Sequence, residues 1–192
     1  ELTMANRDTV YGLKYVGNLS GNATGQVVRC NIPASDGTAT FINDAVKTLG
    51  SADADGIPQV IQCAAGNIVY GVIVGFEPLL SDLSVKHRVA STNRYCLVQI
   101  DPMAVFEIQE DAVGGALAAT NVGQNVDLVV GTGSTQSGLS GMELDSSTAA
   151  TTNTLRFRIL GFSQIVGNEI GANAKVLVKI NGSEFGNAIA GV

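Results

Sequence analysis

Short apolar runs, each closed within a few residues by Gly, Asn, Asp or Ser, pace this chain from residue 10 to residue 181. They lie at 10–16 (VYGLKYV), 26–32 (QVVRCNI), 45–49 (AVKTL), 58–63 (PQVIQC), 68–76 (IVYGVIVGF), 95–100 (YCLVQI), 104–109 (AVFEIQ), 125–130 (NVDLVV), 154–162 (TLRFRILGF) and 175–181 (KVLVKIN). All are rich in Val, Ile, Leu, Phe or Tyr, and none is long enough to favour a helix over a strand. Leu155, Phe157 and Ile159 alternate with Arg156 and Arg158, as Val176, Val178 and Ile180 do with Lys175 and Lys179. Each such run has one buried and one wet face. The turns SDG at 35–37, ADG at 54–56 and AAGN at 64–67 supply residues that tolerate positive φ. Helix signal is confined to Leu79, Leu80 and Leu83 after Pro78, enough for a turn or two. The expected fold is all-β, a single-domain barrel or jelly-roll-like sandwich, and 192 residues suffice for its own core.

Two stretches break the pattern. In ANRDTVYGLKYVGN (5–18), Val10, Tyr11, Leu13, Tyr15 and Val16 are too apolar for a free tail, yet Gly12, Gly17 and Asn18 interrupt a central strand. Residues 1–18 are therefore expected to be an arm laid across a neighbouring subunit, with 19–192 as the β-domain; an edge strand of the chain's own sheet is the alternative. Residues 131–153 are rich in Gly, Ser and Thr and are expected to form a long surface loop. Its apolar Leu139, Met142 and Leu144 are candidate partner contacts, alongside Val10, Tyr11, Leu13 and Tyr15 in the arm.

Composition narrows function. Charged residues make up 15 %, against roughly 25 % in an ordinary domain, and the difference is taken up by 23 Gly and many Ser, Thr, Asn and Gln. Such neutral, hydrogen-bonding surfaces suit coverage by neighbouring subunits. Net charge is −6 and the basic residues are scattered apart from Lys86, His87 and Arg88, so nucleic acid is not an expected partner. No apolar run is long enough for a membrane helix, and the first residues lack the basic-then-apolar pattern of a secretory leader. Met4 leaves residues 1–3 as an added or upstream remnant. Cys30, Cys63 and Cys96 lie inside apolar runs with neither disulfide-framework nor metal-pair spacing, and are expected to be buried free thiols of a protein folded in a reducing compartment.

Chemical candidates are weak. Asp101, Glu107, Glu110 and Asp111 are the nearest approach to the paired carboxylates of a glycosidase. Glu107 alternates with Phe106 and Ile108, which places it on a solvent face, and Glu110 and Asp111 begin a turn toward Gly114. There is no Trp to stack a sugar ring. His87, the sole histidine, sits in a polar stretch and is expected in an exposed loop; no GxSxG elbow accompanies it. The run GTGSTQSGLSG (131–141) lacks the GK[ST] ending of a phosphate cradle. The sequons at Asn18, Asn22 and Asn181 have no secretion signal to give them meaning. No catalytic, metal or cofactor site is expected.

The order GIPQVIQCAAGNIVYGVIVGF (56–76), RYCLVQIDPMAVFEIQED (94–111), VGQNVDLVVGTGSTQSGLSGMELD (122–145), LRFRILGF (155–162) and NEIGANAKVLVKIN (168–181) resembles the capsid cement, or decoration, proteins of tailed bacteriophages. The resemblance is one of overall pattern across residues 40–182. It implies a non-enzymatic, homo-oligomeric (dimeric or trimeric) structural protein made in the host cytoplasm. Its place would be the outside of the virion, clamping neighbouring major capsid protein subunits. Many copies of a modest contact would supply the strength. Two other readings compete: a carbohydrate- or receptor-binding β-domain of a viral or surface fibre, and a small β-rich hydrolase, which lacks a triad.

Overall fold

Every apolar run becomes a strand or part of one. In the computed structural model, which describes residues 6–21 and 25–186, the strands are β1 Lys14–Asn18, β2 Val27–Ile32, β3 Ala45–Ala52, β4 Pro58–Gln62, β5 Gly71–Phe76 and β6 Arg94–Gln99. They continue with β7 Ala104–Gln109, β8 Asn125–Gly131, β9 Gly141–Ala150, β10 Phe157–Phe162 and β11 Lys175–Ile180. A single 3-10 turn, Ala119–Asn121, is the only helical element among the described residues. The chain is all-β.

The strands form two sheets. β2-β4-β3-β5-β6 closes into a barrel, and β1-β7-β11-β10-β8-β9 forms a six-stranded sheet. That second sheet curls. Glu110 bridges Leu144, and the Asp111 N–H donates to the Leu144 carbonyl at 3.0 Å, which draws β9 against the end of β7. β1 takes the rest of the β7 edge, from Lys14 opposite Glu107 to Asn18 opposite Ala104.

The alternation read from β10 and β11 sets the core. Phe157, Ile159, Val176, Val178 and Ile180 meet Phe106, Ile108, Leu128, Met142 and Leu144, and Ala45, Cys63, Val69 and Val72 from the barrel half join the same cluster. The two sheets therefore share apolar contact. Inside the barrel, Cys30, Ile32, Val46, Val60, Tyr70, Ile73, Cys96 and Val98 form a second cluster. All three cysteines are buried free thiols, although Cys30 lies directly opposite Cys96 on β2 and β6.

Several expectations are corrected here. Residues 131–153 are not one long loop: Gly141–Ala150 is β9, the longest strand, which pairs with β8 from Asn125 opposite Ala150 to Gly131 opposite Gly141 and leaves 132–140 as the hairpin tip. Met142, Leu144 and Ser146 point inward in strict alternation, but the intervening Ser, Thr and Gly hide the pattern. The hairpin tip docks on the chain itself, with the Ile42 N–H on the Gly138 carbonyl at 2.9 Å and the Ser140 N–H on the Ile42 carbonyl at 2.8 Å. The arm is likewise an edge strand of its own sheet, because Leu13 is completely buried and β1 is hydrogen-bonded to β7. Gly12 has φ +64°, and a methyl added there would collide with Ser140. Residues 1–5 lie outside the described part.

Leu79, Leu80 and Leu83 make turns, not a helix. His87 is half-buried, stacked on Phe41 with centroids 5.0 Å apart, and burial and the Arg94 charge lower its pKa. Arg88, the last residue of the short Lys86, His87, Arg88 group, is 0 % exposed. Its guanidinium donates to the carbonyls of Pro33 (2.7 Å), Asp36 (2.7 Å), Thr38 and Thr92 (2.8 Å), and to the Asp36 carboxylate at 3.3 Å.

Candidate functional site

The segment before β1 runs over the place where β9 meets β7. Asn6 donates to the carbonyls of Glu169 at 2.7 Å and Ala172 at 3.0 Å. Gln109, buried at the end of β7, accepts from the Thr9 N–H (3.1 Å) and hydroxyl (3.0 Å) and donates to the carboxylates of Asp8 and Glu143, each at 3.1 Å. Both faces of the amide are used, so this one side chain ties the N-terminal segment, β7 and β9 together. Further along, Asn43 donates to the Tyr11 carbonyl at 2.7 Å and the Leu13 N–H to the Asn43 carbonyl at 3.0 Å. Residues 6–13 are a strap.

Beside the strap lies a cleft of about 470 Å³ lined by Thr9, Tyr11, Lys14, Asn43, Glu107, Leu139 and Lys175. The Lys175 ammonium sits 5.3 Å from the centre of the Tyr11 ring. The Tyr11 hydroxyl is buried without a hydrogen-bond partner, and burial, with the Glu107 and Glu143 charges, raises its pKa so that it keeps its proton. Glu107 is buried on the sheet rather than solvent-facing, and it accepts the Ser163 hydroxyl. Burial, then the Asp8 and Asp111 charges, pushes Glu143 up to about 7. On the far side of Asn43, burial pushes Asp44 up to about 6 against the bonds it accepts from the Phe41 amide and the Gln62 side chain, both 2.8 Å.

The acidic end of QIDPMAVFEIQED is thus no solvated turn. Glu110 is fully buried, and Asp111 accepts the Ser146 N–H at 3.1 Å and hydroxyl at 2.8 Å. Asp101 braces the corner between β6 and β7, accepting the Met103 N–H at 2.8 Å. These carboxylates are braces between strands. The cleft offers a phenol, two ammonium groups and one engaged carboxylate: a hydrogen-bonding recess without cysteine or histidine on its wall. Among the described residues no cluster of three or more His, Cys, Asp or Glu is arranged to hold a metal ion.

Of the candidate contact residues, Tyr11 and Leu139 meet in this cleft. Val10 is exposed, while Tyr15 packs edge-on to Phe106 with centroids 6.1 Å apart. Leu13, Met142 and Leu144 are core residues, out of a partner's reach in the folded chain. Nothing in the sequence marks Gln109, Glu143 or Ser163 as site residues, and Lys175 shows there only as a wet-face lysine. Only the alternation of Gln109 with Glu107 hinted that the two share a face.

The most exposed apolar side chains lie elsewhere. Leu80 is 93 % and Leu83 75 % exposed on the β5–β6 connection, and Ile165, Val166 and Ile170 are exposed on the β10–β11 connection. Compared with protein-family models, curated proteins and solved structures, the chain matches none.

Proposed function

We propose that this chain is a structural docking protein, a cement protein that binds the outside of a bacteriophage capsid and joins neighbouring major capsid protein subunits. The observation that carries the reading is the pairing of a densely braced β body with bare apolar connections, Val166, Leu80 and Leu83 above all. Leucines held this far into water contribute nothing to the chain's own core, and grouped exposed apolar residues mark docking sites. Burying each against a partner is worth roughly 1.5 to 3 kcal/mol, and repetition over many copies turns modest contacts into a firm seam. The sequence-wide resemblance points the same way, and self-association as a dimer or trimer belongs to the same proposal.

Native mass spectrometry of purified virions tests it. The protein should appear in copy numbers comparable with the shell subunit, and L80S/L83S should lose head binding while keeping the melting temperature of the free protein. Absence from virions would overturn the reading. The cleft at Tyr11 favours one second reading, a carbohydrate- or receptor-binding domain of a fibre; glycan-array binding abolished by Lys175→Met would establish that instead.

A further inference from the structure

The sheet face opposite the core carries an arrangement that the apolar connections do not explain. Arg158 on β10 lies directly opposite Lys179 on β11, and Lys179 lies opposite Val105 on β7. One rung along, Leu177 and Lys14 flank Glu107 from β11 and β1, and on the next Lys175 lies opposite Gln109. Directly opposed residues share a face, so Lys14, Lys175, Lys179 and Arg158 all project from the outward side. Successive side chains on one face of a strand are about 7 Å apart and neighbouring strands about 4.8 Å, which packs four cations into one small area.

Among the described residues none of the four is in an ion pair; the pairs there are Arg29 with Glu77 and Arg88 with Asp36. Glu107 shares a cleft wall with Lys14 and Lys175, and Asp8 and Glu143 reach Gln109 opposite Lys175, so the acidic groups gather at that end and, among the described residues, leave Arg158 and Lys179 without one. Asn125, opposite Arg158 on β8, is neutral. Like charges directly opposed across strands cost stability. A chain of net charge −6, with acidic residues in excess, nevertheless places Arg158 against Lys179.

We propose that the outward face of β10 and β11, bordered by Val105 of β7 and Lys14 of β1, is a cationic docking face for an acidic protein surface. This deepens the docking role proposed above and rests on it by naming the partner's chemistry. A face spread over neighbouring strands is too broad for a small anion. The half-buried Leu177 between Lys175 and Lys179, with Val105 beside them, gives the face apolar contacts that a protein patch can match and a phosphodiester chain cannot. The acid excess of the rest of the chain turns its other faces away from an acidic partner, so the patch also orients the encounter.

The test uses immobilised poly-L-glutamate as the probe, with heparin and duplex DNA as competitors, and decoration-free heads in parallel. Wild type should be retained on poly-L-glutamate at low salt. R158E/K179E should bind on the order of tenfold more weakly, whereas K47E/K86E, an equal charge change on the barrel half, should not. R158Q/K179Q, which adds no charge, should lose part of the binding and carries the test if the reversal does not fold. Equal weakening by both reversals, or tighter retention on heparin or DNA, would overturn the proposal. Wild type that binds heads no better than R158E/K179E would sink the cationic face and leave the docking role standing. Binding to poly-L-glutamate through this face without binding to heads would sink the capsid role and leave the face.

Discussion

The Ala45 backbone N–H donates to the Met142 sulfur at 3.2 Å, which joins β3 of the barrel to β9 of the curled sheet. Met142 is 1 % exposed and sits in the cluster the two sheets share. Met142→Ala should lower stability by about 2 to 5 kcal/mol in urea unfolding of the isolated protein, the range for emptying a filled core site. Leu139→Ser, at the half-buried hairpin tip, should cost much less. Equal midpoints for Met142→Ala and wild type would show that Met142 is not core.

Arg88 makes a second, sharper prediction. Its guanidinium is the shared donor for the carbonyls of Pro33, Asp36, Thr38 and Thr92. Removing it leaves those oxygens and the Asp36 carboxylate without that donor, a loss of about 3 to 5 kcal/mol for a broken buried pair. Arg88→Lys should recover little, since one ammonium cannot span a fork of five donors. The denaturation midpoints of Arg88→Met and Arg88→Lys should fall close together; a lysine variant matching wild type would contradict the fork's role.

What the sequence discloses and what it hides follow from the range of the interactions. β11 is legible because Val176, Val178 and Ile180 alternate with lysines, a signal contained in one strand. β9 is illegible because Ser146, Ser147 and Thr148 follow Met142 and Leu144 and look like loop, although Ser146 is buried by bonding to Asp111. The strap has no local signature at all. Gln109 meets residues near 8 and 143, and nothing in QIDPMAVFEIQED forecasts either partner. Glu110 and Asp111 look like solvated turn residues because carboxylates usually are, whereas the bridge from Glu110 to Leu144 carries them inside the seam.

Acid titration should reveal that seam. Glu143 is raised from 4.5 to about 7, and Asp44 from 3.8 to about 6, in both cases chiefly by burial. A carboxyl whose folded pKa exceeds its unfolded value binds protons more tightly when folded, so its contribution is complete below the unfolded pKa and disappears as pH rises through the folded one. Stability should therefore decline between about 4 and 7. Glu143→Gln keeps the acceptor for Gln109 and should flatten the upper part of that decline, ending above wild type at pH 8. A mutant profile parallel to wild type from pH 4 to 8 would refute the assignment.

Burial also governs the thiols. It pushes Cys30 up to about 11 and raises Cys63 and Cys96 further, which suppresses the reactive thiolate at neutral pH. A thiol reagent at pH 7.5 should leave native protein nearly unmodified and label all three residues after denaturation. Rapid labelling of Cys30 or Cys96 would mean that the barrel opens on the timescale of the reaction.

The strap itself is tested at Gln109. Gln109→Ala removes the acceptor for Thr9 and the donor to both Asp8 and Glu143, while leaving the β1–β7 pairing from Lys14 onward untouched. Leaving buried polar partners unpaired costs about 1 to 3 kcal/mol. The loss should appear first as faster hydrogen exchange at the Thr9 amide, with the β1 amides still protected. Gln109→Glu should act more strongly, because it sets a third carboxylate between Asp8 and Glu143 and turns two attractions into repulsions. Its effect should depend on pH in a defined direction: mild near pH 5, where the raised Glu143 is protonated, and severe near pH 8, where it is charged. Thr9 exchange that is the same in wild type and both variants would show that the segment is held by Asn6 and Asn43 alone, and Gln109 would lose its place as the tie between strap and seam.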